Sequence, residues 1–159
     1  MEIKSALITG GTGFVGEAIV KALGEKHPRC SITVVDLTNP THGYRSESNI
    51  SFFQADVTSS QSILDAVLRA RPEVVIHTAG IVPPLGERYA RRMEKEVSRV
   101  NVEGTRNTLD AAKEAGCTAF VYTSSCTAVT DDVSRDYANI DERWPVACKS
   151  SIYGESKVI

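Results

Sequence analysis

Two side chains near the end of the chain have the types and the spacing of an acid/base pair. Tyr153 and Lys157 are four residues apart, so on a helix they lie on the same face. A lysine ammonium beside a phenol favours the phenolate, the form that a general base needs to take a proton from an alcohol. An exposed pair with this spacing also occurs by accident, so the spacing alone leaves a structural interpretation open.

A glycine-rich turn near the start of the chain has the spacing of a phosphate-binding loop. Gly10, Gly13 and Gly16 lie between an apolar run and a segment with helical periodicity, so the turn joins a strand to a helix. The first glycine permits the bend, the second lets a pyrophosphate approach the backbone, and the third lets the helix pack close to the strand. The helix N-terminus then faces the anion. Taken alone, the three glycines are also compatible with a simple turn.

A carboxylate favours the interpretation of this turn as a dinucleotide site. The second apolar run, residues 32–35, ends in Asp36, where a Rossmann unit has a carboxylate that accepts hydrogen bonds from the adenosine ribose hydroxyls. A carboxylate also repels a 2′-phosphate, and no arginine follows Asp36 at once. The sequence therefore predicts NAD rather than NADP as the cofactor.

The elements that must position these residues alternate between strand and helix. The predicted strands cover residues 3–8, 32–36, 50–55, 73–77 and 118–122. The predicted apolar face of the first helix consists of Val15, Ala18, Ile19, Ala22 and Leu23. The alternation predicts an α/β fold of the Rossmann type, a doubly wound parallel sheet with ligands beyond the carboxyl ends of its strands. We expect one NAD(P)-binding domain over residues 1–159.

Composition narrows the function classes. The chain has 159 residues, a net charge of −2 and 42% hydrophobic residues, as expected of a globular protein. Its basic residues from Arg88 to Arg99 are interrupted by glutamates, which favours a solvated helix face over a nucleic-acid site. No apolar run approaches the roughly 18 residues of a membrane span. Four widely spaced cysteines predict reduced, intracellular thiols and neither a disulfide framework nor a metal site.

With these motifs in place, the sequence resembles the extended short-chain dehydrogenase/reductase family over nearly its whole length. The segments that carry the resemblance are Thr-Gly-Gly-Thr-Gly-Phe-Val-Gly at 9–16, Asp36, Asp-Val at 56–57, His-Thr-Ala-Gly at 77–80, Asn-Val-Glu-Gly-Thr at 101–105, Thr-Ser-Ser at 123–125, and 153–157. Within the family the sequence is most similar to the 3β-hydroxysteroid dehydrogenase and sterol 3-dehydrogenase branch. Sugar-nucleotide epimerases and dehydratases share most of these motifs.

The resemblance implies a role for each matching residue. Tyr153 would take the proton of a secondary alcohol, Lys157 would hold the cofactor ribose, and Ser125, rather than Ser124, would bind the substrate oxygen. Either serine, however, is also suited to cap backbone groups, and His77 is interpreted as structural. The implied cofactor contacts are Gly10, Gly13, Gly16, the backbone amides of Phe14 and Val15, Asp36, Asp56 and Val57 at the adenine, Ala79 and Gly80 at the nicotinamide, Asn101, Tyr153 and Lys157.

The function implied by the resemblance is NAD-dependent oxidation of a secondary alcohol, the 3β-hydroxyl of a steroid or sterol. The alternatives are a sugar-nucleotide epimerase or dehydratase and a dinucleotide-binding module without turnover. Family members continue beyond the Tyr153 helix into a substrate domain, so we expect this chain to be an N-terminal portion with apolar surface exposed. We expect an intracellular protein, in the cytoplasm or on the cytoplasmic side of the endoplasmic reticulum, with a homodimer considered for the full-length form.

Overall fold

The structure is a computed structural model that describes residues 2–40, 49–130, 138–141, 143–144, 146 and 151–158. The chain divides into two compact units. The sheet unit contains Met1–Ala79 and Gly104–Thr123. The α6 unit, named after helix α6 (Ile152–Ser156), contains Gly80–Glu103 and Ser124–Ile159. Each unit is described by itself below.

The sheet unit is built on five parallel strands. They are β1 (Ser5–Thr9), β2 (Ser31–Asp36), β3 (Ile50–Gln54), β4 (Val74–His77) and β5 (Ala119–Tyr122), in the order β3-β2-β1-β4-β5. Every neighbouring pair is parallel, so all five carboxyl ends lie at one edge of the sheet. The predicted strands and the Rossmann-type α/β fold are confirmed.

Three helices flank the sheet: α1 (Phe14–Lys26), α2 (Ser60–Ala70) and α5 (Gly104–Glu114). From β1 the chain moves outward to β2 and β3, then crosses back to β4 and β5 on the other side of β1. Because parallel crossovers are right-handed, this reversal places α1 on one face and α2 with α5 on the other. Contacts between α2 and α5 agree with this placement.

The predicted apolar face of α1 is wrong in part. The buried or half-buried residues of α1 are Gly16, Ile19, Val20, Leu23 and Gly24. Val15, Ala18 and Ala22 are exposed instead. Gly16 must face inward to fit against Gly10, so the buried and half-buried positions recur at i, i+3, i+4, i+7 and i+8 from Gly16 and not from Val15.

The ends of α2 and α5 follow local signals in the sequence. The Ser59 side chain accepts a hydrogen bond from the Ser62 amide and caps α2. At the other end, α2 stops before Pro72, with Arg71 in the left-handed region as its cap. Gly116 has a φ of 72° just beyond α5, the conformation in which glycine commonly ends a helix.

The α6 unit is made of short elements. They are α3 (Leu85–Ala90), α4 (Glu94–Val97), a π-helical segment (Ser98–Glu103), a 3₁₀ turn (Cys126–Ala128) and α6 (Ile152–Ser156). The sequence predicts one long helical pattern through Val97 and Val100 and does not indicate the π-helical segment. Such segments are rare and often lie at functional sites, and this one carries the buried Asn101.

Three of the four cysteines, Cys30, Cys117 and Cys126, are free thiols, and Cys148 lies outside the described residues. Burial raises the pKa of the Cys30 and Cys117 thiols, which makes both less reactive. In the described ranges, none of the helices combines the length and the apolar character needed to cross a bilayer.

Candidate active site

Backbone hydrogen bonds and close backbone contacts fix the glycine turn of the sheet unit. Gly10 has a φ of 67°, its N–H donates to the Val35 carbonyl at 2.8 Å, and its carbonyl accepts from the Gly13 N–H at 3.0 Å. A Cβ at Gly10 would lie 2.7 Å from the Ala79 nitrogen, and a Cβ at Gly16 would lie 2.2 Å from the Gly10 carbonyl oxygen. Both distances are too short for any other residue, so the bend and the close packing predicted for these two glycines are present.

The start of α1 has the form of an anion-binding helix end. Gly13 is the N-cap of α1 and has no side chain that could accept a hydrogen bond. The first backbone amides of the helix therefore receive no side-chain cap from this residue. The side chains of Phe14 and Val15 are exposed, at 94% and 45%. The N-terminus of α1 can therefore accommodate a pyrophosphate, and the helix dipole favours the negative charge of this group.

The Asp36 carboxylate lies beside this turn. One of its oxygens accepts a hydrogen bond from the Thr12 amide at 3.1 Å, and the other accepts from the Leu37 amide at 2.8 Å. Among the residues that the structure describes, Asp36 forms no ion pair with a basic side chain. The contact of Asp36 with the adenosine ribose stays a prediction.

Asp56 and Val57 hold the segment between β3 and α2. The Asp56 carboxylate accepts from the Thr58 amide at 2.8 Å, and the Val57 carbonyl accepts from the Asn107 side chain at 2.9 Å. A Cβ at Gly104 would lie 2.8 Å from Val57, which explains a glycine at the start of α5. Their predicted contact with the adenine stays a prediction.

His77 joins three elements of the sheet unit. Its side chain is 1% exposed, with Nδ1 2.7 Å from the Thr9 hydroxyl and Nε2 2.9 Å from the Thr105 hydroxyl. Both ring nitrogens are occupied, which supports the structural interpretation of His77. The next residue, Thr78, donates to the Thr9 carbonyl at 2.7 Å and thereby holds Ala79 against Gly10.

Asn101 links a loop to α6 within the α6 unit. Its Oδ1 accepts from the Ile81 amide at 2.7 Å, and its Nδ2 donates to the Ile81 carbonyl at 3.0 Å and to the Ser156 hydroxyl at 2.9 Å. Ser156 in turn donates to the Tyr153 carbonyl at 2.8 Å. Asn101 steadies the loop after β4, as interpreted from the sequence, and it also fixes the helix that carries Tyr153. The only sequence signal for Ser156 is its place between Tyr153 and Lys157.

Lys157 lies beside Tyr153 in a largely buried position. Its Nζ is 5.8 Å from the centroid of the Tyr153 ring, and the residue is 7% exposed. Burial lowers the pKa of the Lys157 ammonium. A Cβ at Gly80 would lie 3.5 Å from Nζ and 3.2 Å from Asn101 Oδ1. The structure therefore gathers Gly80, Asn101, Tyr153 and Lys157 into one cluster.

The two serines after β5 have different partners. Ser124 donates its hydroxyl hydrogen to the Lys157 carbonyl at 3.0 Å. Ser125 caps the 3₁₀ turn, accepting from the Thr127 amide at 3.2 Å and from the Thr127 hydroxyl at 2.9 Å. Both serines thus bind backbone groups. Ser124 uses its hydroxyl hydrogen in its contact with Lys157, whereas Ser125 accepts in both of its contacts and can donate its own hydrogen to another oxygen.

Two arginines from the segment before the π-helical segment lie close to side chains of α6. Arg91 forms a two-point ion pair with Glu155 of α6, at 2.9 and 3.0 Å, and also pairs with Glu94. The guanidinium carbon of Arg88 lies 5.7 Å from the centroid of the Tyr153 ring. The sequence indicates only a solvated helix face here, because 64 residues separate Arg91 from Glu155 and no local pattern records their pairing.

A family model and individual relatives of known name indicate the same family for this chain. A model of the 3-beta hydroxysteroid dehydrogenase/isomerase family matches residues 7–159. The chain is 32% identical to a decarboxylating sterol-4-alpha-carboxylate 3-dehydrogenase of Candida albicans over 90% of this chain and 40% of that one. It is 37% identical to human 3 beta-hydroxysteroid dehydrogenase type 7, covering 77% of this chain and 33% of the other.

A solved structure adds to this comparison. The Thermus thermophilus UDP-glucose 4-epimerase, in complex with NAD, is similar with a TM-score of 0.78 and 27% identity, over 97% of this chain and 47% of the epimerase. The chain therefore spans less than half the length of these relatives.

Proposed function

The chain belongs to the 3-beta hydroxysteroid dehydrogenase/isomerase family, and from this premise we propose that it serves NAD-dependent oxidation of a secondary alcohol, the 3β-hydroxyl of a steroid or sterol. The observation that carries the proposal is that Lys157, the C-cap of α6, lies beside Tyr153 within the segment that the family model matches. The relatives named as steroid and sterol dehydrogenases support this substrate class.

NAD would be held by residues of the glycine turn and of the strand ends. Gly13 with the amides of Phe14 and Val15 would bind the pyrophosphate, and Asp36 would bind the adenosine ribose. Lys157 would bind the hydroxyls of the nicotinamide ribose. When bound, NAD supplies the acceptor for the hydride of the alcohol carbon.

The acid/base step would belong to Tyr153. Its phenolate would take the hydroxyl proton of the substrate while the hydride leaves the carbon that bears this hydroxyl for the bound nicotinamide, so that the alcohol becomes a ketone. The nearby Lys157 ammonium stabilises the phenolate electrostatically. Ser125 would donate a hydrogen bond to the substrate oxygen and hold it toward Tyr153.

Turnover with a matched pair of alcohols tests this function. The protein is mixed with NAD and either a 3β-hydroxysteroid or its 3α epimer, and the absorbance of reduced nicotinamide is followed. We expect the absorbance to rise with the 3β alcohol. NAD binding without turnover of either epimer would favour the module without activity, and interconversion of UDP-sugars would favour the epimerase.

Replacing Asp36 with Asn is expected to weaken NAD binding about 10-fold or more and to reduce the discrimination against NADP. The amide keeps an oxygen that can accept from Thr12 or Leu37, but it loses the charge that binds ribose hydroxyls and repels a 2′-phosphate. Isothermal titration with NAD and NADP measures both effects.

The control for this substitution is Asp65→Asn. Asp65 is an exposed carboxylate on α2 that accepts a hydrogen bond from Gln61. We expect Asp65→Asn to leave both affinities unchanged. Unchanged affinities in the Asp36 variant as well would show that this carboxylate does not touch the ribose.

A further inference from the structure

Ser156 carries a buried hydroxyl that the proposed chemistry does not use. It is 4% exposed and precedes Lys157 at the end of α6. Its Oγ accepts a hydrogen bond from Asn101 Nδ2 at 2.9 Å and donates to the Tyr153 carbonyl at 2.8 Å. A serine hydroxyl has a single hydrogen, and the bond to the Tyr153 carbonyl uses it. Ser156 therefore connects Asn101 of the π-helical segment with the backbone of the proposed base.

The Ile81 backbone fixes the direction of these hydrogen bonds. The Ile81 amide can only donate, so the Asn101 atom that accepts from it at 2.7 Å must be Oδ1. The other end of the Asn101 amide is then Nδ2, which donates to the Ile81 carbonyl at 3.0 Å and to Ser156. Because Ser156 must accept from Asn101, its own hydrogen is directed to the Tyr153 carbonyl.

The last turn of α6 departs from a regular α-helix at Lys157. In a regular helix the amide of residue 157 would donate to the carbonyl of residue 153, four positions earlier. The Lys157 amide donates to the Gly154 carbonyl at 3.0 Å, three positions earlier, and the Tyr153 carbonyl accepts from Ser156. A bond of this type tightens the turn. The direction in which the Lys157 side chain leaves α6 therefore depends on this tightened end.

The carbonyl of Lys157 is also held by a side chain. It accepts from the Ser124 hydroxyl at 3.0 Å. Helix α6 has only five residues, far fewer than the roughly 12 to 15 at which an isolated helix becomes marginally stable. Hydrogen bonds from outside the helix must therefore fix its end, where Lys157 Nζ lies 5.8 Å from the centroid of the Tyr153 ring.

We propose that Ser156 is a positioning residue that, through the Tyr153 carbonyl and the tightened last turn, sets the Lys157 ammonium beside the Tyr153 ring. The proposal rests on the proposed function, in which Lys157 binds the nicotinamide ribose and stabilises the phenolate. Ser156 itself would touch neither NAD nor the alcohol. Without its hydroxyl, one Asn101 N–H loses its acceptor and the Tyr153 carbonyl loses its donor, so the end of α6 would rearrange.

The test compares NAD with AMP, which has no nicotinamide ribose for Lys157 to bind. We expect Ser156→Ala to weaken NAD binding about 10-fold, as for the loss of one hydrogen bond, and to leave the AMP affinity unchanged. We expect kcat for 3β-hydroxysteroid oxidation to fall by a similar factor. Ser156→Thr, which keeps the hydroxyl, is expected to lie closer to the wild type. Calorimetry and steady-state kinetics measure these effects, and an equal loss of NAD and AMP affinity in Ser156→Ala would contradict the proposal.

The matched control is Ser151→Ala at the other end of the same helix. Ser151 is also buried, and its Oγ accepts from the Gly154 amide at 3.0 Å as the N-cap of α6. Loss of this cap weakens the helix but keeps the bonds of Ser156. We expect Ser151→Ala to unfold at a lower urea concentration, with the ratio of NAD to AMP affinity close to that of the wild type. Equal effects of the two substitutions on that ratio would overturn the proposal, because any weakening of α6 would then be sufficient.

A spectroscopic measurement separates this proposal from the proposed function. With isotope-labelled lysine, the ε-carbon resonance of Lys157 is identified by its loss in Lys157→Arg and is observed without NAD or alcohol. We expect this resonance to move toward those of exposed lysines in Ser156→Ala and to keep its position in Ser151→Ala. An unchanged resonance in Ser156→Ala overturns the proposal even if the wild type oxidises the steroid. The expected shift in a protein that neither binds NAD nor oxidises an alcohol supports the positioning role and contradicts the proposed function.

Discussion

Replacing Tyr153 with Phe is expected to lower kcat for 3β-hydroxysteroid oxidation by roughly 10²- to 10⁴-fold, the usual contribution of a positioned acid/base group. The substitution removes only the hydroxyl. The ring that lies 5.7 Å from Arg88 and 5.8 Å from Lys157 remains, and the backbone carbonyl still accepts from Ser156. The loss should therefore appear in kcat, with the NAD affinity nearly unchanged.

Steady-state kinetics and titration with NAD together check this expectation. Tyr122→Phe is the matched control, because it removes the phenol hydroxyl of a tyrosine on β5 in the sheet unit. We expect it to keep the wild-type kcat. If Tyr153→Phe instead kept full turnover, Tyr153 would not be the base, and the cluster around Lys157 would have to act through another group.

The sheet and the cofactor turn are predictable from the sequence because local constraints define them. Runs rich in Val and Ile between turn residues give the strands, and parallel pairing brings their ends to one edge. The demand on Gly10 includes a positive φ, and the demand on Gly16 comes from backbone atoms only five and six residues away. The position of Asp36 beside the turn is predictable because this residue ends β2, next to Thr12.

The surroundings of Tyr153 are less predictable, because long-range pairing decides them. Asn101 meets Ser156 across 55 positions, and Arg91 meets Glu155 across 64. Helical periodicity indicates which face of a helix a residue occupies. It does not indicate which distant element packs against that face. Arg88 consequently has the sequence pattern of a solvated side chain, although it lies over the Tyr153 ring.

The α1 register shows the same limit at short range. The apolar residues Val15, Ala18 and Ala22 satisfy a helical pattern, yet they are exposed. The close contact of Gly16 with Gly10 sets the rotation of the helix, and a glycine contributes nothing to an apolar periodicity. Packing of backbone on backbone therefore outweighs the pattern of side chains here.

The second large effect is expected for Gly16→Ala, which should reduce the free energy of unfolding by about 3 kcal/mol. The added Cβ would lie 2.2 Å from the Gly10 carbonyl oxygen and 2.6 Å from the Gly11 Cα. Both are backbone atoms, so α1 must move away from the turn. Because we propose that the same turn binds the pyrophosphate, NAD binding should weaken as well. Urea unfolding and titration with NAD measure the two effects.

Substitutions at two further glycines distinguish an effect on packing from an effect on cofactor binding. Gly86→Ala is the control, because its Cβ meets no atom within 4 Å and alanine favours helix α3 by up to about 1 kcal/mol. A Cβ at Gly13 would lie 3.3 Å from the Gly10 oxygen, a tight contact but a far longer one than at Gly16, so Gly13→Ala should cost less stability than Gly16→Ala while it obstructs the pyrophosphate. If Gly13→Ala and Gly16→Ala lost NAD affinity only in proportion to stability, the turn would be a structural bend and not an anion site.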